Sequence, residues 1–409
     1  MLQYIKYLLM GVMLLLGSLT IEANECEWNE DGTECYFNGM RFWIESEKDL
    51  TLCLIYCDTW NENDEDWRKK VIPAYLPSMN DAAVIYKVTT IEKDAFLIIP
   101  SGWHYPTCEL AEIEIPETVV RIGERALAYT YMLKEIQFPN SVSEIGGECV
   151  AYSSSLEYVK LPEGLKVIPE AFAYACSVLQ ECVIPESVET IGKLAFTRCR
   201  SLDKVYIPAG VKSIGNGAFA GMDSLESFEI DPDNENYCVK DGILFDKDMK
   251  TLVGWPGART EVVVPEGVER IAGEAINRSD IMTSIDLPES LTDLRGSFLD
   301  DNKNLNKITV RSLTPPICNE AQEGVRPLFA KEVFAEAELW VPDESYEEYK
   351  AHPVWGKFAH IRTAAGVSAV ADDDSAPTYY SLDGQKVDTP EPGSILIRRS
   401  GSTAEKIRY

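Results

Sequence analysis

The chain has 409 residues, 45% of them hydrophobic, and 67 acids against 38 Lys and Arg give a formal net charge of −29. That apolar fraction excludes an acidic disordered tail. The charge excludes nucleic acid, whose binders neutralise phosphates with Lys and Arg, and an anionic membrane surface without bridging cations.

Lys6 followed by YLLMGVMLLLGSLTI is a basic start and an uncharged run. At about 15 residues it has the length of a signal-peptide apolar region and is short of the roughly 20 that a spanning helix needs. Residues 1–23 therefore read as a signal peptide, with a mature chain from Asn24, and an uncleaved N-terminal anchor is the alternative. Glu25 stands where lipoprotein processing needs a small residue, so no acylation is expected at Cys26. All 11 cysteines lie in the mature part, and their odd number leaves at least one unpaired. Cys26 and Cys35 bracket a loop with Asp31-Gly32 that a bridge between them would close. Cys53 and Cys57 share the alternating stretch DLTLCLIYC, and four residues along a strand is roughly 13 Å, too far for a disulfide. No CxxC occurs, which removes thioredoxin-type and zinc-ribbon readings.

From residue 91 to 362 the sequence is periodic. An apolar-Pro pair stands at Ile115-Pro116, Phe138-Pro139, Leu161-Pro162, Ile184-Pro185 and Ile207-Pro208, 23 residues apart, and again at Val264-Pro265 and Leu287-Pro288. Six residues after each proline come Ile122, Ile145, Ile168, Ile191, Ile214, Ile271 and Leu294, and small residues then precede a large apolar one, as in Ala195-Phe196 and Ala218-Phe219. Each unit reads LxxIxIP, VxxIG, xAF. The first piece alternates like a strand, and proline ends it. Gly123, Gly146, Gly192 and Gly215 are predicted to turn the chain before the small-aromatic pair, which fits one helical or 3₁₀ turn. A 23-residue unit cannot bury its own apolar face. Stacking on its neighbours, with parallel strands about 4.8 Å apart, buries it and predicts a solenoid.

These columns resemble the BspA-type leucine-rich repeats of cell-surface proteins of anaerobic bacteria, over roughly Ile91 to Ile361. The resemblance implies a β-rich, leucine-rich-repeat-like solenoid with short helical or 3₁₀ turns. The insert at about 231–263, with YCVKDGILFDKDMKTLVGWP, resembles the family's hairpin unit. Val341 to Ile361 resembles its closing strand and helix, and NGMRFWI with YKVTTIEKDAF its N-terminal cap, which implies a small β cap over residues 24–90. Residues 363–378 read as a small-residue, acidic linker, and 379–409 as a small C-terminal β module with a turn at Asp383-Gly384. Asp374-Ser375-Ala376 also resembles the short O-glycosylation motif of that bacterial group.

Chemistry-bearing patterns are scarce. Cys176 and Cys199 share a column with Thr130, Ser153, Met222, Ser279 and Asn302, and are read as buried structural residues rather than a thiol pair. Asp231, Asp233 and Glu235, like Asn61, Asn63 and Glu65, lack the glycine and closing glutamate of an EF-hand loop. No GxSxG, HExxH or P-loop occurs in context. No catalytic, metal-ligating or cofactor-binding residue is predicted, and no enzyme activity.

What remains is surface. The outward residues of each LxxIxI strand line up across repeats, and solenoids bind through such faces. Tyr158, Lys160, Lys204 and Tyr206 are the predicted partner-binding residues, the tyrosines on strands roughly 10 Å apart and the lysines a positive spot on an acidic protein. The family resemblance implies a secreted or cell-surface adhesion protein, monomeric, that engages a protein or glycan. A glycan-binding accessory protein and a structural envelope component without a specific ligand are the alternatives.

Overall fold

In the computed structural model each unit makes two short strands where the sequence suggested one. The description covers residues 26–57, 68–79, 84–97, 108–294, 299, 301–318 and 327–363, and the backbone of the strands between 378 and 408. The expected signal peptide, most of the linker, the Asn61 stretch and the Trp103 bulge lie outside these residues, as does Ser375.

The first strand of each unit is the alternating piece. Glu135–Gln137, Tyr158–Lys160 and Glu181–Val183 pair in parallel with a strict repeat register, Ile136 against Val159 against Cys182. The inward residues Ile136 and Val159 are buried while Glu135, Gln137 and Lys160 face outward. After the strand the proline carbonyl accepts a turn bond from the residue three ahead, as in Val142 N–H to Pro139 O at 3.0 Å and Val188 N–H to Pro185 O at 3.0 Å. Proline thus ends one strand and starts the corner that leads to the second. That second strand is two residues long, and Val167–Ile168, Thr190–Ile191 and Ser213–Ile214 form its parallel ladder.

The small-aromatic segment is not helical. A residue in left-handed conformation opens it in four successive units, at Arg125, Glu148, Ala171 and Leu194, and another closes it, at Tyr129, Tyr152, Ala175 and Arg198. A left-handed residue cannot continue a right-handed helix. The N–H groups instead reach the carbonyls of the next turn, as in Val150 to Phe172 O at 3.0 Å and Phe196 to Ala218 O at 2.8 Å. Gly217 and Gly221 occupy the same two positions in a later unit.

The glycines after the isoleucine column serve spacing rather than turning. A Cβ on Gly146 would stand 2.3 Å from Glu124 N, and one on Gly215 2.3 Å from Lys193 N, so their absence lets one turn rest on the backbone of the turn before. Pro169 and Ala272 hold this position in two other units, so it accepts a side chain where the contact is built for one.

Inside, the aromatics of three successive pairs meet in a row. Phe172, Phe196 and Phe219 follow at centroid distances of 6.2 and 6.0 Å, and Phe228 meets Phe219 at 5.3 Å. The core divides at the insert. Tyr237–Lys240, Ile243–Asp246 and Thr251–Gly254 make an antiparallel meander whose last strand pairs in parallel with Arg270–Ile271. Leu244 faces the apolar cluster on the N-terminal side, while Ile243 and Phe245 belong to the one beyond. Polar side chains join the two parts at the turns. Arg278 pairs with Glu274 at 2.7 Å and donates to the Tyr174 hydroxyl at 2.7 Å. Arg198 pairs with Asp301 and Arg200 with Asp280.

At the N-terminal end, Glu27–Trp28, Glu34–Phe37, Met40–Ser46 and Thr51–Cys57 form an antiparallel sheet. Its last strand pairs in parallel with Ile85–Ile91, which pairs in parallel with Arg121–Ile122. The division drawn at 90/91 falls inside a strand shared by cap and solenoid. At the other end Lys307–Val310, Glu338–Val341 and His360–Thr363 extend the parallel ladder, covered by the Tyr346–Ala351 helix. Tyr349 and Trp355 are fully buried there, and the Tyr349 hydroxyl donates to Ser312 O at 2.9 Å. Strands Thr378–Tyr380, Lys386–Val387, Ile395–Ser400 and Thr403–Arg408 form a separate four-stranded antiparallel sheet. Among the described residues no helix is long and apolar enough to cross a membrane.

Candidate functional site: the outer face of the strand ladder

The four residues predicted for binding all lie on the outer face of the first ladder, on two strands. Tyr158 sits in register between Glu135 and Glu181, and Lys160 between Gln137 and Val183. Lys204 faces Ser227 and Tyr206 faces Glu229 on the next pair. Lys160, Lys204 and Tyr206 are exposed and Tyr158 is half-buried. The tyrosines occupy different rows, because Tyr158 aligns with Lys204 and Lys160 with Tyr206.

The four do not share one sheet. The strands Glu181–Val183 and Lys204–Ile207 do not pair, and the ladder is interrupted between them. A spacing of two regular strands, roughly 10 Å, therefore does not describe the two tyrosines. The interruption is an open cavity of about 710 Å³, lined by Glu181, Cys182, Val183, Leu202, Lys204 and Tyr206 among others. Val183, at 65% exposure, is the most exposed large hydrophobic residue among those described.

Tyr206 is held in place. Its hydroxyl donates to Asp231 Oδ2 at 2.9 Å, and that carboxylate pushes the phenol up to about 12, so it stays a neutral donor at neutral pH. The other oxygen of Asp231 accepts the Asp233 N–H at 2.8 Å. Neighbouring Asn234 donates to the Pro208 and Val211 carbonyls at 2.8 and 3.1 Å. This acidic loop is therefore tied into the solenoid by its own side chains. The described residues gather no cluster of three or more His, Cys, Asp or Glu suited to a metal ion.

A second aromatic surface escaped sequence reasoning. Tyr129 and Tyr152 stack at 4.7 Å and 10°, with Tyr131 against the first ring and Tyr174 against the second. The row runs along the turns and not the strands. Its only signal is the recurrence of Ala-Tyr at Ala128-Tyr129, Ala151-Tyr152 and Ala173-Tyr174.

The cysteine column is sealed. Cys176 Sγ reaches Val150 O at 3.1 Å and Cys199 Sγ reaches Ala173 O at 3.2 Å, both fully buried. Burial pushes the Cys176 thiol up to about 12 and Cys199 well above its ordinary value. Because the thiolate is the nucleophile, neither is reactive at pH 8. Iodoacetamide is expected to leave both unmodified in the folded protein and to label both in denaturant, read by peptide mass mapping. Rapid labelling of the native protein would show that the column opens. A hydroxyl at position 176 keeps the Val150 acceptor, as Ser153 keeps Leu127 O at 3.4 Å. Cys176→Ser is therefore less costly than an unpaired hydroxyl, which costs roughly 1–3 kcal/mol.

A family model described as a BspA type leucine rich repeat region matches residues 97–226 and 258–324, in 6 copies. Similar solved structures include a leucine rich cell surface protein from Faecalibacterium prausnitzii A2-165. It has 20% identity and a TM-score of 0.51 over 82% of this chain and 96% of that one. Another is a leucine-rich repeat protein from Eubacterium ventriosum, at 14% identity and a TM-score of 0.46 over 79% of this chain and 82% of that one. No curated protein matches the chain. At 20% identity the likeness to the first of these concerns the fold alone.

Proposed function

The chain belongs by its solenoid to the BspA-type leucine-rich repeat family, and from that premise we propose that it is an exported binding protein. It engages an extracellular or cell-surface protein through the outer face of its strand ladder, without a catalytic step. The observation that carries this reading is the exposure of Val183 at 65% and Tyr206 at 41%, beside inward residues of which Val205 is buried and Cys182 half-buried. A solvated sheet face is expected to carry polar residues at such positions. The net charge of −29 disfavours acidic surfaces at large, while Lys160 and Lys204 give the face a local positive spot for acidic or aromatic groups of the partner. Export rests on the leader reading of residues 1–23, which N-terminal sequencing of the secreted chain tests directly.

The test of the surface is an array of extracellular-matrix proteins and glycans probed with the mature chain. Replacing Tyr158 and Tyr206 together by Ala is expected to weaken binding to any captured protein by at least about 2 kcal/mol, the scale of interface hot spots. The melting temperature should barely move, because these rings do not face the core. Glu229→Ala on the same face is the control. Undiminished binding by the tyrosine variant would remove this face from consideration. The row Tyr129, Tyr131, Tyr152 and Tyr174 favours a second reading, a glycan platform. Capture of glycans alone, lost on Tyr152→Ala, would establish it.

A further inference from the structure

The interruption of the strand ladder is local and bounded. Behind it the second ladder runs unbroken, with Thr190 paired to Ser213 and Ile191 to Ile214. On the turn side the same two units are joined by the Ser201 hydroxyl donating to Ser177 O at 3.0 Å. Only the first strands part. Elsewhere Glu181 N–H bonds to Glu157 O and Phe138 N–H to Lys160 O. Their equivalents here, Lys204 N–H to Gln180 O and Ile184 N–H to Tyr206 O, are absent among the described bonds. Cys182, at the inward position filled by Ile136, Val159 and Val205 in other units, is left partly exposed at the floor of the opening.

Two strand edges thus face each other across an open slot with backbone donors and acceptors unused on both sides. Edges of this kind are templates for an added strand, in which main-chain bonds give affinity and alternate side chains give selectivity. We propose that the slot between Glu181–Val183 and Lys204–Ile207 receives an extended peptide segment of the partner protein, which pairs with both edges and completes the ladder. The inference rests on the strand face being the binding surface. The slot's own side chains describe the segment. An outward residue in the first row lies between the carboxylate of Glu181 and the ammonium of Lys204, which selects a polar uncharged side chain. The next residue turns inward beside Cys182 and Leu202, both of which line the cavity, and is a small apolar group. The third faces outward between Val183 and Tyr206, two exposed apolar surfaces, and is apolar. The recognised pattern is polar, small apolar, larger apolar, in an extended conformation.

Capped hexapeptides with Gln-Ala-Val or Thr-Val-Leu at their centre are the probe, each made also with the middle residue N-methylated. Hydrogen exchange on the full mature chain is expected to be fast at the Ile184 and Lys204 amides and slow at Glu181. The peptides are expected to slow exchange at Ile184 and Lys204 at least tenfold, and N-methylation to weaken their binding at least tenfold while keeping every side chain. Slow exchange at both amides in the free protein would mean a closed ladder and overturn the proposal. Equal binding of the N-methylated peptides, or no binding by any peptide, would overturn it as well. In that event a Tyr158→Ala/Tyr206→Ala variant that still loses array binding leaves the face as the binding surface. If that variant binds fully, both readings fall.

Discussion

Phe196→Ala is expected to lower the free energy of unfolding by about 3–5 kcal/mol, the usual cost of emptying a buried phenylalanine site. The ring is 2% exposed and lies between Phe172 and Phe219, parallel to the latter within 1°. Its neighbours cannot collapse into the vacancy, because each turn is fixed to the next by bonds such as Phe196 N–H to Ala218 O at 2.8 Å. In a stack where each repeat touches only its neighbours, losing one interface also uncouples what lies on either side. Urea unfolding followed by circular dichroism should show an earlier midpoint and a broader transition. A loss under 1 kcal/mol would mean that the stack relaxes around the missing ring, against a close-packed ladder.

Glu274→Ala is expected to cost about 3 kcal/mol and to do so in one place. Arg278 and Glu274 have side chains 13% and 9% exposed, and removing one member of a buried pair strands the other charge. The Arg278 guanidinium also lies 5.7 Å from the Tyr174 ring centroid, so its position depends on contacts from both sides of the insert. The apolar cores separate at this point, with Leu244 on one side and Phe245 on the other. The variant should therefore unfold in two steps, with hydrogen exchange rising first at the units from Val262 onward. A single transition with uniform protection would show that the strand contacts alone hold the two parts together. Because the pair is largely shielded from solvent, 0.5 M salt should recover little of the loss.

The repeat and its core columns were legible because a 23-residue period aligns many apolar positions, and among the described residues these columns are buried almost throughout, with Ile214 half-buried. Leu133, Leu156, Leu179 and Leu225 are fully inaccessible, as are Val188 and Ile191. Three features were not legible, each for its own reason. The second strand is two residues long, too short to show an alternation. The small-aromatic turn looked helical because its left-handed residues are Arg, Glu, Ala and Leu in successive units, with no glycine to mark them before Gly217. The glycines that are conspicuous, such as Gly146, relieve a contact with the preceding turn that exists only once the units stack. The candidate site was half readable. Outward positions follow from alternation, so Lys160, Lys204 and Tyr206 are exposed as expected. The slot between their strands depends on bonds missing between units that look equivalent in sequence. Glu181–Val183 differs from its neighbours only in Cys182, smaller than the valine or isoleucine usual at that position, and in the outward apolar Val183, and neither predicts a parted strand.

The left-handed residues at the turns also bear on how far this solenoid can be hardened. An L-residue in that conformation costs roughly 1–2 kcal/mol against glycine, of which glycine's greater freedom in the unfolded chain returns about 0.5–1. Where the side chain has a task, the strain is offset locally. Arg125, at φ 52°, is gripped by Asp94 at 2.8 Å, and Arg278, at φ 67°, by Glu274. Ala175, at φ 62°, has only a methyl group to lose, and Gly221 stands at the equivalent position two units later. The chain therefore keeps a reserve of heat tolerance in its corners, open to an engineer who wants a tougher scaffold with the strand face untouched.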